Sequence, residues 1–252
     1  MALTVAVLGG TGNLGRLFVQ QALEEGYSLR LLVRNPAKLA PANHERLEAV
    51  VGDATRAEDV ARVVAGADVV VSCLGNASKL RVMDVAASHI LTAARSRPNT
   101  PRCVFVSSVG CRGTSFVVKW MLIVIGTFMG LGKGSFDDYE AADTRILAGK
   151  EVPCVLVRPY ALTDKTGTGA YHATENQNAT FMRSIARADA ARFVLDAVTD
   201  TKWDGKPGVQ VGGPSSPRPR DRPSSDALPG LDSDELRQVA RRAATGDDFV
   251  FV

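Results

Sequence analysis

Three glycines near the N-terminus, Gly10, Gly12 and Gly15, have the types and spacing of a phosphate-binding turn, G-x-G-x-x-G. They directly follow the apolar run TVAVL and open the helical pattern LGRLFVQQAL. In that context glycines permit a tight turn, let the backbone approach a pyrophosphate, and allow close packing of helix on strand. The N–H groups and dipole of the helix end attract phosphate. The pattern predicts dinucleotide binding, and a tight turn without a ligand is the alternative.

The end of the second predicted strand carries a base where an NAD site usually carries an acid. NAD-preferring sites place an acidic residue about 20 residues beyond the glycines, where it binds the ribose 2′-hydroxyl. Here the sequence reads Val33-Arg34-Asn35. Arg34 can form charge-assisted hydrogen bonds to a 2′-phosphate, with Lys38 as a second cation. The sequence therefore favours NADP (NADPH), although a solvated charge is the alternative for both residues.

Three further strand ends carry candidate ligand contacts, because ligands of open α/β sheets bind at the carboxyl ends of the strands. Asp53, next to Ala54, is placed to accept from an adenine amino group. Gly75, after Leu74, would let the chain pass close to a ribose. Ser107 and Ser108 would face the nicotinamide. An ordinary loop is the alternative at each place.

The elements that position these residues alternate between short β-branched runs and helical patterns of about 10 to 15 residues, the sign of βαβ units. This alternation predicts an α/β fold, a single Rossmann-like doubly wound parallel sheet with flanking helices and a C-terminal extension. Strands are predicted at 4–8, 29–33, 47–51, 68–73, 103–107, 154–158 and 209–211, and helices at 14–25, 57–64, 79–95, 138–147 and 187–198.

Two stretches break this rhythm. Residues 116–131 are strongly apolar, yet they are too short for a spanning helix and contain Lys119. A lid over the carboxyl edge of the sheet is one interpretation, and a peripheral membrane or protein contact is the other. Residues 214–230 are rich in Pro, Ser, Arg and Asp and predict a flexible linker. The domain is therefore expected to span 1–213, with 231–252 as a tail containing a short helix.

Composition narrows the classes of function. Thirty basic and 27 acidic residues leave a net charge of +3, which is too even to favour a nucleic-acid surface. The four cysteines form no C-x-x-C pair and are expected to be reduced core residues, and the three isolated histidines predict no metal site. No basic segment precedes the first strand, so we expect a cytoplasmic protein without a signal peptide. The oligomeric state cannot be derived from the sequence.

The chain resembles the atypical short-chain dehydrogenases, in particular the biliverdin-IXβ/flavin reductase group and its nitrogen-metabolite-repressor-like relatives. The resemblance extends from about Val5 to Gly213 and rests on segments such as VLGGTGNLG, GYSLRLLVRNPAKL, VFVSSVG, DDYEAAD, VLVRPYALTD and TGAY. It implies an NADP-dependent reductase fold. The NADP contacts that it implies are Gly9, Thr11, Gly12, Asn13, Leu14, Arg34, Lys38, Asp53, Ala54, Leu74, Gly75 and Ser107.

The resemblance also implies two candidate catalytic residues. Ser108 matches a serine near the nicotinamide and substrate, and Tyr139 aligns with the place of an active-site histidine in the flavin reductase group. The segment beginning at Pro159 looks like the loop that closes on the nicotinamide side. A structural role is the alternative for Ser108 and Tyr139. Asp189, in the segment IARAD, is expected to begin a helix.

The chain departs from ordinary short-chain dehydrogenases at one important point. Those enzymes use Tyr-x-x-x-Lys, in which the lysine lowers the pKa of the phenol that exchanges a proton with a carbonyl or alcohol. None of the four tyrosines has a lysine four residues later, and Tyr139 is followed at that spacing by Asp143. A conventional alcohol dehydrogenase mechanism is therefore not expected.

Three functional hypotheses remain at this stage. The first is a reductase that transfers hydride from NADPH to a planar conjugated acceptor (flavin, quinone or tetrapyrrole), whose delocalised product anion needs no strongly tuned acid. The second is a non-catalytic NADP-binding sensor, regulatory or assembly protein, since fold does not determine function. The third, an epimerase or dehydratase, would normally need the Tyr/Lys pair.

Overall fold

The computed structural model describes residues 3–39, 44–75, 81–109, 111, 133–175 and 184–213. The predictions made for 116–131 and for 214–252 lie outside these residues. Within them the strands are β1 Thr4–Leu8, β2 Ser28–Val33, β3 Leu47–Val51, β4 Val69–Ser72, β5 Arg102–Val106, β6 Cys154–Pro159, β7 Leu162–Thr163, β8 His172–Thr174, β9 Ile185–Ala186 and β10 Val209–Gly212. The helices are α1 Asn13–Glu24, α2 Ala57–Val64, α3 Val82–Arg95, α4 Lys133–Ala148 and α5 Arg187–Asp196, with 3₁₀ turns at Pro36–Lys38 and Thr201–Trp203.

Eight strands form one sheet in the order β3-β2-β1-β4-β5-β6-β10-β8. Every neighbouring pair is parallel except β10 and β8, which are antiparallel. Strands β4, β5 and β6 are buried along their whole length, which explains their nearly continuous apolar sequences. The chain order reverses between β1 and β4. Ligands of such sheets bind in the crevice at that reversal, outside the carboxyl ends of the strands.

The core lies on both faces of the sheet, because alternate residues of each strand point to opposite faces. One face packs against α1 and α5 through residues such as Phe18 and Phe193. The other packs against α2, α3 and α4 through residues such as Val60, Ile90 and Ile146. This two-faced arrangement confirms the predicted Rossmann-like α/β fold.

Helix α2 shows how local sequence sets the bounds of an element. Glu58 and Asp59 lie in its first turn and Arg62 in its last, in agreement with the helix dipole. Val60 and Val63 are fully buried on one face. The predicted bounds of this helix match those in the structure.

The sequence-based prediction differs from the structure mainly in short elements. Strands β7, β8 and β9 contain only two or three residues, too few for an alternating pattern to be recognised. Helix α4 begins at Lys133 rather than 138, because KGSF carries little apolar periodicity. The four cysteines are buried and free, as expected. No helix among the described residues is long and apolar enough to cross a membrane.

Candidate functional site

Glycines occupy the turn between β1 and α1 because side chains there would strike neighbouring atoms. Gly9 has a φ of +80°, and a Cβ on it would lie 2.6 Å from the carbonyl carbon of Cys73. A Cβ on Gly15 would lie 2.1 Å from the carbonyl oxygen of Gly9. A Cβ on Gly10 would lie 2.9 Å from Cδ2 of Leu31. Close packing of strand, turn and helix thus accounts for three of the predicted positions.

Gly12 has a different role, because it lies at the N-terminus of α1 and has no side chain to cover the first N–H groups of the helix. It is the N-cap of α1, and no side chain of the described residues forms a cap there. A Cβ on Gly12 would meet one described atom within 4 Å, the Gly9 carbonyl oxygen at 3.3 Å. Thr11 and Asn13 beside it are exposed. The first N–H groups of a helix have no intrahelical partner, and this first turn carries no acid, so the residues present fit a pyrophosphate.

The loop after β4 lies directly against this turn. The backbone nitrogen of Leu74 would be 2.8 Å from a Cβ on Gly9. Leu74 is partly buried and Gly75 is exposed. Because β1 and β4 flank the reversal in strand order, the predicted contacts from 9–13 and 74–75 line one crevice.

Arg34 and Lys38 are both exposed on the short turn that follows β2. The side chain of Asn35 shapes this turn by accepting a hydrogen bond from the Ala37 N–H at 3.0 Å. Neither Arg34 nor Lys38 forms an ion pair with a residue that the structure describes. Two cations therefore stand at the β2 end of the crevice, as a 2′-phosphate would require.

Asp53 lies on the loop after β3 and is held there by Thr55. Its Oδ1 accepts from the Thr55 N–H and from the Thr55 hydroxyl, both at 2.8 Å. These hydrogen bonds lower the pKa of Asp53 below its ordinary value of 3.8, with a smaller contribution from the charge of Arg34. Ala54, the next predicted contact, is buried, and His89 Nδ1 lies 3.4 Å from its carbonyl oxygen. Asp53 thus remains ionised, and its carboxylate can accept a hydrogen bond from an adenine amino group.

A buried polar cluster that sequence analysis missed lies under the ends of β5 and β6. Ser107 donates from its hydroxyl to Asp143 Oδ1 at 2.7 Å, and Arg158 Nη2 lies 2.7 Å from Asp143 Oδ2. All three are at most 2% exposed. A charged residue inside the apolar run VLVRP was the available signal, because a charge in a buried strand needs a partner. The hydroxyl proton of Ser107 is directed to Asp143, and its contact with a cofactor stays a prediction.

Burial governs the titration of this cluster. Loss of hydration raises the pKa of the Asp143 carboxyl above its ordinary value, and the Arg158 charge and the Ser107 hydroxyl offset part of that rise. Burial also raises the pKa of the nearby Cys111 thiol to about 12. Cys111 is therefore a protonated core thiol at neutral pH.

The two candidate catalytic residues lie in different surroundings. Ser108 follows β5, is 5% exposed, and its hydroxyl lies 3.1 Å from the Val109 carbonyl oxygen. Tyr139 lies on α4, is 4% exposed, and packs in the core on the α2–α3 side of the sheet. Asp143, four residues after Tyr139 on the same helix, is a carboxylate, so Tyr139 is not part of a Tyr-x-x-x-Lys pair. Catalytic roles for Ser108 and Tyr139 stay predictions.

The segment after β6 is fastened to the first turn of α5. Pro159 ends β6, and the Tyr160 hydroxyl lies 2.5 Å from Gln210 Oε1 of β10. Asp189 accepts from the backbone N–H of Thr168 at 3.0 Å and of Gly169 at 2.7 Å. Asp189 therefore lies in the first turn of a helix, as expected, and also anchors the TGAY segment.

The predicted site residues converge on one edge of the sheet. The carboxyl ends of β1, β3, β4 and β5 are followed by the glycine turn, the loop at 53–54, Leu74–Gly75 and Ser107–Ser108, and Pro159 is the last residue of β6. These strands are parallel, so their carboxyl ends lie side by side. Tyr139 is the exception, since it is on a flanking helix.

The family described as NAD(P)H-binding matches residues 9–201. A photosystem II assembly factor of Trieres chinensis is 33% identical over 110 residues, which cover 42% of this chain and 34% of that protein. A 3-beta-hydroxysteroid dehydrogenase of Mycolicibacterium neoaurum is 47% identical over 66 residues, which cover 26% of this chain and 18% of that protein. The chain thus spans about a third or less of the length of these relatives.

Solved structures share the fold over most of the chain. A short-chain dehydrogenase/reductase from Veillonella parvula, solved in complex with NADP, superposes with a TM-score of 0.69 at 19% identity, covering 89% of this chain and 100% of that one. An anaerobillin reductase from Escherichia coli superposes with a TM-score of 0.67 at 19% identity, covering 86% of this chain and 99% of that one. At this level of identity the likeness shows a common fold.

Proposed function

The chain belongs to the NAD(P)H-binding family, and on that premise we propose that it is an NADPH-dependent reductase of a planar conjugated acceptor, such as a flavin, quinone or tetrapyrrole. The observation that carries this proposal is the crevice at the reversal of strand order. There the open end of α1, the Leu74–Gly75 loop and the buried Ser107–Ser108 strand end lie along one edge. The helix end at Gly12 can contact phosphates, and the strand end at Ser107–Ser108 is buried from water.

Preference for NADPH rests on the charges after β2. Arg34 and Lys38 are exposed cations without an ion pair among the described residues, and the expected acid for a ribose 2′-hydroxyl is missing. NADPH supplies the hydride, and the glycine turn, Asp53 and Gly75 would hold its phosphates, adenine and ribose. These contacts are proposals drawn from the position of each residue in the crevice.

The proposed acceptor class rests on the lack of a Tyr/Lys pair that could donate a proton to the reduced substrate. Tyr139 has no lysine four residues later, and Asp143 is already engaged by Ser107 and Arg158. Reduction of a conjugated ring spreads the product charge over many atoms, so a solvent proton or a modest donor such as Ser108 is sufficient. The similar fold of an anaerobillin reductase supports the tetrapyrrole class in particular.

The remaining parts of the chain are assigned in the same proposal. The NADP-binding domain is assigned to residues 1–213, whereas the linker predicted at 214–230 and the tail predicted at 231–252 lie outside the described residues. The apolar segment 116–131, predicted as a lid or as a membrane or protein contact, lies outside the described residues. We also propose a cytoplasmic location and no nucleic-acid partner.

A second candidate is a non-catalytic NADP-binding assembly or regulatory protein. Two observations favour it. No tyrosine of the sequence has a lysine four residues later, and Asp143, four residues after Tyr139, forms a buried ion pair with Arg158. In addition, matched relatives include photosystem II assembly factors of Trieres chinensis and Cyanophora paradoxa. Such a protein would bind NADPH but turn over no acceptor.

The deciding experiment combines cofactor titration with turnover. Purified protein is titrated with NADPH and NADH, and consumption of each is then followed with flavin mononucleotide, biliverdin and simple quinones. NADPH-selective consumption supports the reductase. Tight NADPH binding without consumption on any acceptor supports the assembly or regulatory protein, and no binding of either cofactor contradicts both.

A further inference from the structure

Two neighbouring strands direct one polar side chain each at a single carboxylate. The register that pairs Val106 with Val157 places Ser107 opposite Arg158, and both point to the face covered by α4. Asp143, on α4, receives both side chains, one on each oxygen, at 2.7 Å. The carboxylate therefore links β5, β6 and α4 at the level where the two strands end.

Stability alone does not explain this cluster. A buried ion pair costs hydration of both ions, and replacing such a pair with well-packed apolar side chains is often neutral or stabilising. The pair here is completely buried, at 0% and 1% side-chain exposure for Arg158 and Asp143. What the pair does provide is direction, because charge-assisted hydrogen bonds fix the relative orientation of their donors and acceptor.

The surrounding backbone is adapted to the guanidinium. Gly208, just before β10, has a φ of +146°, and a Cβ there would lie 2.8 Å from Cζ of Arg158. The residues that follow the anchored pair are Ser108, beyond the end of β5, and Pro159–Tyr160, at and just beyond the end of β6. Tyr160 packs with Val109 in a small cluster of its own. The hydrogen bonds that hold Ser107 and Arg158 therefore also fix the positions of the chain segments that follow β5 and β6.

We propose that Asp143 is a positioning residue, whose carboxylate holds Ser107 and Arg158 and through them sets the strand ends that receive the nicotinamide half of the cofactor. The inference rests on the proposed function, namely that the crevice binds NADPH. It assigns to Asp143 a structural role below the proposed cofactor site, with no contact to substrate. On the same proposal the adenine half would lie near β1, β2 and β3, which are separated from β5 and β6 by β4, so its binding should not depend on this cluster.

The test compares a whole cofactor with its adenine half. Dissociation constants for NADPH and for 2′,5′-ADP, which lacks the nicotinamide, are measured for wild type, Asp143→Asn and Ser107→Ala. The control is Asp204→Asn, because Asp204 pairs with the buried Arg102 at 2.7 Å at the opposite end of β5. Thermal melts accompany every variant. Because Ser107 is itself a predicted NADP contact, Arg158→Lys, which changes the other partner of Asp143 and keeps its charge, is measured in the same way and keeps the test available if Asp143→Asn does not fold.

We expect Asp143→Asn to lower the affinity for NADPH by about 10-fold or more, since small displacements of a positioned group have large effects. Ser107→Ala should lower that affinity less. Affinity for 2′,5′-ADP should stay within about 2-fold in both, and Asp204→Asn should lower the melting temperature alone. Equal weakening of both ligands, or unchanged NADPH affinity in folded variants, would overturn the positioning role while leaving NADPH binding intact. Wild-type protein that binds neither ligand would instead overturn the proposed function.

Discussion

Gly15→Ala tests whether close packing of α1 on the β1 turn dictates the glycines of the motif. The new Cβ would lie 2.1 Å from the Gly9 carbonyl oxygen and 2.9 Å from Gly10 Cα, whereas Cβ atoms essentially never approach within 3.0 Å. To remove this clash, the helix and the Gly9 carbonyl must move apart by nearly an ångström. Phe18 and Val19 on the same helix are buried in the core, so the helix cannot tilt away freely.

The magnitude follows from this obstruction. Overpacking of a rigid site costs roughly 1–3 kcal/mol, and the short contact with backbone places Gly15→Ala in the upper part of that range. For a domain of this size roughly 2–4 °C is lost per kcal/mol, so a fall in Tm of roughly 4–12 °C is expected. The assay is thermal unfolding of the free protein by circular dichroism.

Gly12→Ala is the matched control, because its Cβ would lie 3.3 Å from the same oxygen and its φ of −77° suits any residue. Loss of a glycine N-cap costs about 0.5–1 kcal/mol. Its methyl group would, however, stand over the helix end, so NADPH affinity should fall about 10-fold or more. A Gly15→Ala protein that melts with wild type, or a Gly12→Ala protein that binds NADPH normally, would refute the reasoning.

Three further predictions concern other parts of the chain. Arg34→Ala should weaken the binding of NADPH by about 1.5–3 kcal/mol and leave the binding of NADH unchanged, as measured by titration. Lys38→Ala should have a smaller effect in the same direction. An equal loss of affinity for both cofactors would contradict a 2′-phosphate contact. Thr55→Val should raise the pKa of Asp53, as measured by a carboxyl NMR titration. Because the pKa of Asp53 is lowered in the folded state, the stability that Thr55 contributes is present above pH 3.8 and is lost as the pH falls through the folded-state pKa. Wild-type and variant denaturation curves should therefore converge in acid. Removal of 214–252 should leave NADPH affinity unchanged, and a large loss would show that this segment completes the site.

Much of the fold could be predicted from local patterns. The bounds of β1, β3 and α2 agree residue for residue with the sequence-based prediction, because their apolar period is regular and their ends carry clear signals. The glycine turn was equally recognisable, since its spacing reflects contacts between residues close in sequence. Two-residue strands such as β7 and β9 were missed because they are defined by pairing with each other.

Part of the candidate site could not be read in this way. Arg34, Asp53 and Gly75 could be placed at strand ends, and parallel strands bring such ends to one edge. The partners of Ser107 could not be named, since Asp143 lies 36 residues further along the chain. The sequence pattern suggested a cofactor contact at Ser107, and only the structure shows its hydroxyl bonded to a carboxylate.

The sequence by itself determined the order of the longer strands and helices, the glycine turn and the cationic end of β2, because periodicity, glycine spacing and residue type act over a few neighbouring residues. The tertiary structure decided that Ser107, Asp143 and Arg158 meet, that Gly9 lies against Cys73 and Leu74, and that Asp189 holds the loop at 168–169. Those contacts join residues remote in the chain. They exist because the sheet sets strand register and the helices pack across it, and such long-range geometry leaves no period in the sequence.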